Sequence, residues 1–183
     1  QENISFWKQK LSSENRPIIS ICWQGNPKHE KRSFINRGRS FPLQTFAPII
    51  ETIDASFLSL QKGFGSEQLT DCRFLDRFVG CQEEINQTWD FVENAAIMMN
   101  CDLIITVDTA VAHLAGGLGR PTWLLLHKVP EWRWGMEGDT TFWYPSMRLF
   151  RQRERGNWSE VMDRVASALQ IVFSHMDSPM AGS

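Results

Sequence analysis

The sequence predicts a doubly wound α/β domain, in which helices cover both faces of a parallel sheet in the Rossmann-like manner. Two observations lead to this prediction. Short apolar runs recur without the alternation of half-exposed strands, which is typical of parallel strands buried on both faces. Longer amphipathic segments separate these runs, so strands and helices alternate as they do in βαβ units. A chain of 183 residues is long enough for one such domain.

The predicted elements follow one another from residue 17 onwards. Strands are expected at residues 17–23, 55–60, 73–79, 102–107, 121–126 and 147–151. Of these, 73–79 and 147–151 have the weaker apolar pattern. Helices are expected at residues 41–53, 88–100, 109–119 and 157–176.

Capping residues and prolines set the predicted helix ends. Thr88 and Asn157 are expected N-caps, and Gly119 before Pro121 is expected to end the helix that starts near residue 109. Pro48 either delays the start of the helix at 41–53 or kinks it. In domain terms, residues 1–16 are expected to form a connecting segment, 17–175 the Rossmann-like domain and 176–183 a disordered tail.

Charge and composition narrow the classes of function. The formal net charge is −2, so no overall positive field is available to attract nucleic acid or anionic lipid. No apolar stretch approaches the roughly 20 residues that span a bilayer, and the N-terminal residues lack the apolar core of a signal peptide. We therefore expect a cytoplasmic protein. The four cysteines include no C-x-x-C pair, so we expect reduced thiols, no metal and no other cofactor.

The stretch VDTAVAHLAGGLGRP, residues 107–121, ends a buried run with Asp108 and starts a helix at once. In open parallel sheets, ligands bind beyond the carboxyl ends of the strands, where helix N-termini present unpaired N–H groups. The amides of Thr109, Ala110 and Val111 are expected to face such a ligand, and His113 returns to the same face one turn later. The stretch therefore predicts an anion site. The alternative is structural, with a capped helix and a histidine satisfied by its neighbours.

A long basic loop follows the first predicted strand and is expected at the same edge of the sheet. Gly25 and Asn26 stand at the strand end. Arg39, next to Ser40 at the start of the following helix, is the best-placed cation, because a guanidinium suits phosphate oxygens. A solvated basic loop is the alternative. The basic residues of the loop are Lys28, His29, Lys31, Arg32, Arg37 and Arg39.

The loop after the second predicted strand, LQKGFGSEQL, adds a second candidate contact region. Gly63 and Gly65 permit a tight turn, Lys62 adds positive charge, and Glu67 is suited to accept hydrogen bonds from ribose hydroxyls. The chain has neither a complete G-x-G-x-x-G fingerprint nor a P-loop, which argues against a nicotinamide dehydrogenase.

Five blocks together resemble the C-terminal, nucleotide-sugar-binding half of the heptosyltransferase-like glycosyltransferases, in the branch usually fused behind tetratricopeptide repeats. The resemblance runs from about residue 17 to 169. It implies the GT-B architecture, in which one Rossmann-like domain holds the acceptor and a second holds the activated sugar, and this chain resembles the second. The blocks are CWQGNPKH, RGRSFPLQTFAPII, FLSLQKGFGSEQL, DLIITVDTAVAHLAGGLGRPTWLLL and EWRWGMEGDTTFWYPSMRLFRQ.

The resemblance implies a role for individual residues. It assigns sugar hydroxyls to Asp108, the diphosphate to Thr109 and the amides that follow it, and a place beside the phosphates or sugar to His113. Arg39 falls on the basic position of the first loop. Heptosyltransferases proper have lysine there and glycine in place of Ala110, so the identity of the donor stays open. The full set of implied binding residues is Asn26, Arg39, Ser40, Lys62, Glu67, Thr88, Trp89, Asp108, Thr109, Ala110 and His113.

The activity implied by the resemblance is glycosyl transfer from a nucleoside diphosphate sugar, with Arg39 and His113 as the catalytic residues. The acceptor and its base are expected on a separate N-terminal domain of the full-length chain, and tetratricopeptide repeats are a further expected partner, so the isolated chain is expected to be inactive. The alternative is a non-catalytic sugar-nucleotide-binding or protein-interaction module. Nucleic-acid binding is disfavoured by the acidic charge balance.

Overall fold

The computed structural model describes residues 1–15, 17–32 and 38–174 and contains a five-stranded, all-parallel sheet in the order β2-β1-β3-β4-β5. The predicted Rossmann-like α/β fold is therefore confirmed. Strand order reverses between β1 and β3, which is where open α/β sheets bind their ligands. The strands are β1 (Ile18–Cys22), β2 (Ser56–Ser59), β3 (Leu103–Val107), β4 (Thr122–Leu126) and β5 (Met147–Arg151).

Seven α-helices occur in the described ranges, and single 3-10 turns separate several of them. None of these helices combines the length and the apolar character that crossing a bilayer requires. The helices are α1 (Glu2–Lys10), α2 (Pro27–Arg32), α3 (Ala47–Ile50), α4 (Gln82–Asn86), α5 (Phe91–Met98), α6 (Ala110–Gly117) and α7 (Trp158–Ser174).

The sheet is buried on both faces, which explains why its strands lack the apolar–polar alternation of half-exposed strands. Successive side chains point to opposite faces. Ile105 packs in the cluster that includes residues of α3 and α7, whereas its neighbour Ile104 packs in the cluster formed with α1 and α5. Every residue of β1, β2, β3 and β4 is buried.

Both outer strands of the sheet have backbone partners beyond it. On β2, the carbonyl of Phe57 accepts from the Val79 amide at 2.8 Å, and the Gln82 side chain bonds both the amide and the carbonyl of Ser59, at 2.8 and 3.0 Å. On β5, the Leu149 amide donates to the Asp139 carbonyl at 2.8 Å. The two edges are therefore covered by the chain itself.

Two predicted features of the middle of the chain are wrong. Residues 73–79 form a 3-10 turn, Leu75–Arg77, and a single bridge between Phe78 and Phe57, so the sheet has five strands in place of six. The N-cap of α5 is Asp90, whose carboxylate accepts from the Glu93 amide at 2.8 Å. Thr88 instead donates its hydroxyl to the Ile85 carbonyl at the end of α4.

The remaining predicted ends agree with the structure or are refined by it. Asn157 caps α7 through its side chain, which accepts from the Glu160 amide at 3.2 Å. Pro48 delays its helix, because α3 begins at Ala47 with the proline in the first turn and is preceded by a 3-10 turn. Arg37 of the basic loop and the predicted tail at 176–183 lie outside the described residues.

Candidate functional site

A cleft of about 750 Å³ opens at the carboxyl ends of β1, β2 and β3, beside the point where strand order reverses. This volume lies within the range of small-molecule sites in proteins. The structure places eight of the eleven candidate residues in the wall of this one cleft, although they are spread over more than 80 positions of the chain. These eight are Asn26, Arg39, Lys62, Trp89, Asp108, Thr109, Ala110 and His113.

The turn from β3 into α6 supplies unpaired backbone donors. Thr109 is the N-cap in an extended conformation, with φ −139° and ψ 178°, and its side chain makes no capping hydrogen bond. The Thr109 hydroxyl lies instead 3.4 Å from the hydroxyl of Thr106 and 3.9 Å from the sulfur of Cys22. In the first turn of α6, the Ala112 amide donates to the Thr109 carbonyl at 3.1 Å. The amides of Ala110 and Val111 precede the first bond within the helix, so they are available to an anion in the cleft.

Arg39 is fixed against this turn. Its Nη1 donates to the carbonyl oxygen of Asp108 at 2.7 Å, and its Nε lies 3.3 Å from the carboxylate of Glu30. The guanidinium also packs on Gly25, where a Cβ would stand 2.4 Å from Nη2. Only glycine therefore admits the arginine in this position, and the loop after β1 is joined directly to the turn after β3.

Asp108 directs a nearly buried carboxylate towards the cleft, with the residue 6% exposed. Its Oδ1 lies 4.0 Å from Nε2 of His113. The other ring nitrogen of His113 lies 3.0 Å from the hydroxyl of Tyr144, and the imidazole stacks on Trp134 with ring centroids 5.3 Å apart. Asp108 and His113 therefore lie next to each other at the N-terminal end of α6.

Lys62, the second candidate cation of the cleft wall, follows β2 by three residues. Its ammonium donates to the carbonyl of Ile85 and lies 3.3 Å from the hydroxyl of Thr88. Burial disfavours the charged form of this amine and lowers the pKa of Lys62 to about 8. Lys62 therefore carries a charge at neutral pH that a rise of one or two pH units removes.

Three candidate residues lie outside the cleft wall and have other partners. Ser40 accepts from the Gly25 amide at 2.8 Å and donates to the Glu30 carboxylate. Glu67 accepts from the Gly65 amide at 2.8 Å and so closes its own turn. Thr88 stands behind Lys62 and contacts its ammonium. Their side chains support the loops around the cleft.

The structure adds Gln61, which the sequence reasoning missed. This buried side chain accepts from the amides of Trp23 and Gln24 at 3.1 and 3.0 Å and donates to the carbonyls of Gln24 and Phe64 at 2.9 and 2.7 Å. It ties the ends of β1 and β2 together beneath the cleft. The signal in the sequence was a polar residue directly after an apolar run, the same signal that identified Asp108.

The cleft wall also contains residues that were not among the candidates, namely Phe64, Phe91, Glu131 and Arg133. Glu131 and Arg133 form an ion pair of 3.0 Å in the segment after β4. Trp89, Phe91 and Phe64 expose 71%, 64% and 47% of their surfaces, so three large rings stand at the cleft with little protein covering them.

Cysteine and metal chemistry have no organised site in the described residues. All four cysteines are free, and burial raises the pKa of the Cys22 thiol at the base of the cleft. Across the part of the chain that the structure describes, no three histidine, cysteine, aspartate or glutamate side chains are grouped to hold a metal ion.

Comparison of the sequence with known proteins gives one curated relative. No protein-family model matches the chain. Protein FlbA of Caulobacter vibrioides is 29% identical over 173 residues, which make up 91% of this chain and 27% of that protein. The chain thus spans about a quarter of the length of the curated relative that it matches.

Comparison of the structure gives a clearer likeness in fold. ADP-heptose LPS heptosyltransferase II of E. coli superposes with a TM-score of 0.62 at 14% identity, over 97% of this chain and 53% of that one. The wall teichoic acid polymerase TagF has a TM-score of 0.40 at 14% identity, over 95% of this chain and 42% of that one; this weaker likeness carries no argument. The chain has the Rossmann-like fold of one half of a GT-B glycosyltransferase.

Proposed function

We propose that the cleft binds a nucleoside diphosphate sugar and that the chain is the donor-binding half of a glycosyltransferase. The observation that carries this proposal is the meeting of three anion- and sugar-binding groups in one cleft. The Arg39 guanidinium is bonded to the Asp108 carbonyl, the Ala110 and Val111 amides at the start of α6 have no side-chain cap, and the Asp108 carboxylate faces the same space. A fixed cation and a helix N-terminus suit a diphosphate, and a carboxylate suits sugar hydroxyls.

The reaction follows from these assignments. An acceptor hydroxyl attacks the anomeric carbon of the sugar, and the bond from that carbon to the diphosphate oxygen breaks, with its electron pair leaving on the diphosphate. Arg39 and the α6 amides stabilise the negative charge that develops there. The proton of the acceptor passes to a base on another domain. Asp108 holds the sugar, and the Nε2 side of His113 lies next to it.

The exposed rings at the cleft suit the nucleoside. Trp89, Phe91 and Phe64 line the cleft together with Lys62, and large apolar side chains left exposed in a concave site are typical of ligand contacts. We assign the base to this aromatic side and the diphosphate to Arg39 and α6.

The acceptor and its base belong, in this proposal, to a part of the protein outside this chain. The likeness to the heptosyltransferase covers 53% of that chain, and the second Rossmann-like half of such an enzyme is the natural place for the acceptor. The sequence resemblance further suggests that the full-length protein carries tetratricopeptide repeats, as an additional partner for the acceptor.

The proposal is tested by calorimetry on the purified chain with a panel of nucleoside diphosphates and their sugars. We expect at least one nucleotide to bind with roughly −5 to −8 kcal/mol, which corresponds to submillimolar to micromolar affinity. Arg39→Ala should weaken it by about 1.5 to 3 kcal/mol, the range of a lost charge-assisted contact, and the loss should shrink as salt rises.

The matched control is Arg73→Ala. Arg73 also pairs with a glutamate, Glu51, at 2.6 Å, but it lies away from the cleft. Nucleotide affinity should be unchanged in this variant. Absence of binding by the whole panel, or equal losses in the two arginine variants, would contradict the proposal.

A further inference from the structure

Tyr144, in the segment between β4 and β5, contacts the cleft residue His113 at the ring nitrogen that does not face Asp108. It is the only tyrosine of the chain. Its hydroxyl lies 3.0 Å from Nδ1 of His113, and its ring lies against Gly116 of α6, where a Cβ would come within 2.5 Å of Cγ. The absence of a side chain at residue 116 is therefore what lets the tyrosine reach the histidine.

The imidazole of His113 has a fixed orientation between these partners. Trp134, which is buried, stacks on it with an interplanar angle of 26°. Nδ1 faces the Tyr144 hydroxyl, and Nε2 faces the Asp108 carboxylate at 4.0 Å. A flip of the ring would place the ring carbons Cδ2 and Cε1 where Nδ1 and Nε2 now stand, and it would break the bond to the tyrosine.

The two neighbours decide which nitrogen of the neutral ring carries the proton. An ionised carboxylate only accepts hydrogen bonds, so an Nε2 lone pair facing Asp108 is repelled, whereas an Nε2–H is attracted. With the proton on Nε2, Nδ1 becomes the acceptor, and the Tyr144 hydroxyl is able to donate to it. Both contacts favour the same tautomer.

We propose that Tyr144 is a positioning residue that holds His113 as an Nε2–H donor directed into the cleft. In this form His113 donates a hydrogen bond to the donor substrate at the junction of sugar and diphosphate, beside Asp108. The inference about this role in binding rests on the proposed function, whereas the tautomer is a property of the free protein.

The tautomer is read by long-range proton–nitrogen NMR on the chain with ¹⁵N-labelled histidine, at about pH 8.5, roughly two units above the ordinary imidazole pKa. His113→Ala identifies the signal. We expect Nε2–H in the wild type and a partial loss of this preference in Tyr144→Phe, which keeps the ring but loses the hydroxyl and leaves Asp108 as the remaining neighbour that favours Nε2–H. The control is Trp143→Phe, because Trp143 precedes Tyr144 in the chain and is exposed. This variant should leave the His113 signal unchanged.

A second variant disturbs the same contact while keeping the tyrosine. Gly116→Ala places a methyl group where the Tyr144 ring lies, so it should produce the same change in tautomer as Tyr144→Phe. If Tyr144→Phe does not fold, Gly116→Ala provides the same test. An unchanged Nε2–H population in the folded variants, or Nδ1–H in the wild type, would overturn the proposal.

Calorimetry then separates this role from the binding function itself. We expect Tyr144→Phe to weaken the sugar nucleotide about fivefold, the effect of one hydrogen bond, and to cause no further loss when His113 is already alanine. A full additional loss in the double variant would contradict action through His113. If the wild type binds no nucleotide while the tautomer shifts as expected, the proposed function fails and the positioning of His113 stands.

Discussion

Asp108 contributes two groups to the site, and they are separable by substitution. Its carbonyl oxygen holds Arg39, and its carboxylate faces the cleft beside His113. Asp108→Asn keeps the backbone contact, so we expect it to weaken binding of the sugar nucleotide and leave the plain nucleoside diphosphate nearly unaffected. Calorimetry with both ligands measures the difference.

Asp139→Asn is the control for this substitution, because Asp139 is exposed and pairs with Arg148 outside the cleft. It should affect neither ligand. Equal loss of both ligands in Asp108→Asn would mean that the carboxylate only positions the turn. Unfolding of the variant would favour the structural reading of this motif.

Gly25 determines whether Arg39 has room to lie where it does. A methyl group at this position would stand 2.4 Å from Nη2 of Arg39. We predict that Gly25→Ala displaces the guanidinium and weakens nucleoside diphosphate binding about as much as Arg39→Ala does. Gly117→Ala is the control, since a Cβ there meets no atom within 4 Å. Calorimetry measures the nucleoside diphosphate affinity of both variants. Wild-type affinity in Gly25→Ala would show that the Arg39 guanidinium moves aside without loss of binding.

The lowered pKa of Lys62 predicts that nucleotide binding depends on pH. Its pKa of about 8 lies below the ordinary value for lysine, so the free protein loses this positive charge as pH rises through about 8. The negative charge of a diphosphate held elsewhere in the same cleft favours the protonated form and raises the pKa of Lys62 in the complex. Affinity for the nucleotide should therefore fall between pH 7.5 and 9.5, as followed by calorimetry. Lys62→Arg should flatten the profile, because guanidinium stays charged; an equally steep profile in that variant would assign the effect to another group.

At the level of elements, the start of α5 gives a direct test of the structure against the sequence-based assignment. Asp90 accepts from the Glu93 amide, whereas Thr88 bonds the end of α4. We predict that Asp90→Ala lowers the free energy of unfolding by about 1 kcal/mol, the usual effect of losing an N-cap. Thr88→Ala should lower the free energy of unfolding by less than Asp90→Ala does. Urea denaturation of both variants measures the order, and the reverse order would restore Thr88 as the cap.

The central strands were predictable because burial on both faces leaves a plain local signal. Residues 17–23, 55–60, 102–107 and 121–126 are mostly apolar and lack a regular apolar–polar alternation, and each contains a strand of the sheet. Residues 73–79 are also rich in apolar side chains, but Phe74 and Phe78 pack into the core from a 3-10 turn and a single bridge. Tertiary packing therefore overrode the local preference there.

The site was predictable where a residue directly follows a strand and less so elsewhere. Asp108 and Thr109 follow β3, and the sheet fixes their place. Glu67 is farther along its loop, and its carboxylate bonds the Gly65 amide in the same turn. Tyr144 depends on a long segment folding back onto Gly116, a contact that no local pattern encodes.

For the whole molecule, the proposal separates binding from turnover. In the proposed function, the cleft binds the donor, while the acceptor and base lie on another domain. We predict that this chain alone binds the nucleotide sugar without transferring it and that the full-length protein does transfer it. A coupled assay of nucleoside diphosphate release, with and without candidate acceptors, measures this. Robust transfer by the 183 residues alone would refute the two-domain mechanism.

The covered edges of the sheet bear on how the protein behaves at high concentration. An open edge strand is a template on which a strand of another molecule adds, and this is a common start of aggregation. Here Gln82 occupies both backbone groups of Ser59, and the Asp139 carbonyl occupies the Leu149 amide. Intermolecular strand addition must first break these bonds, so the fold resists polymerising through its own sheet.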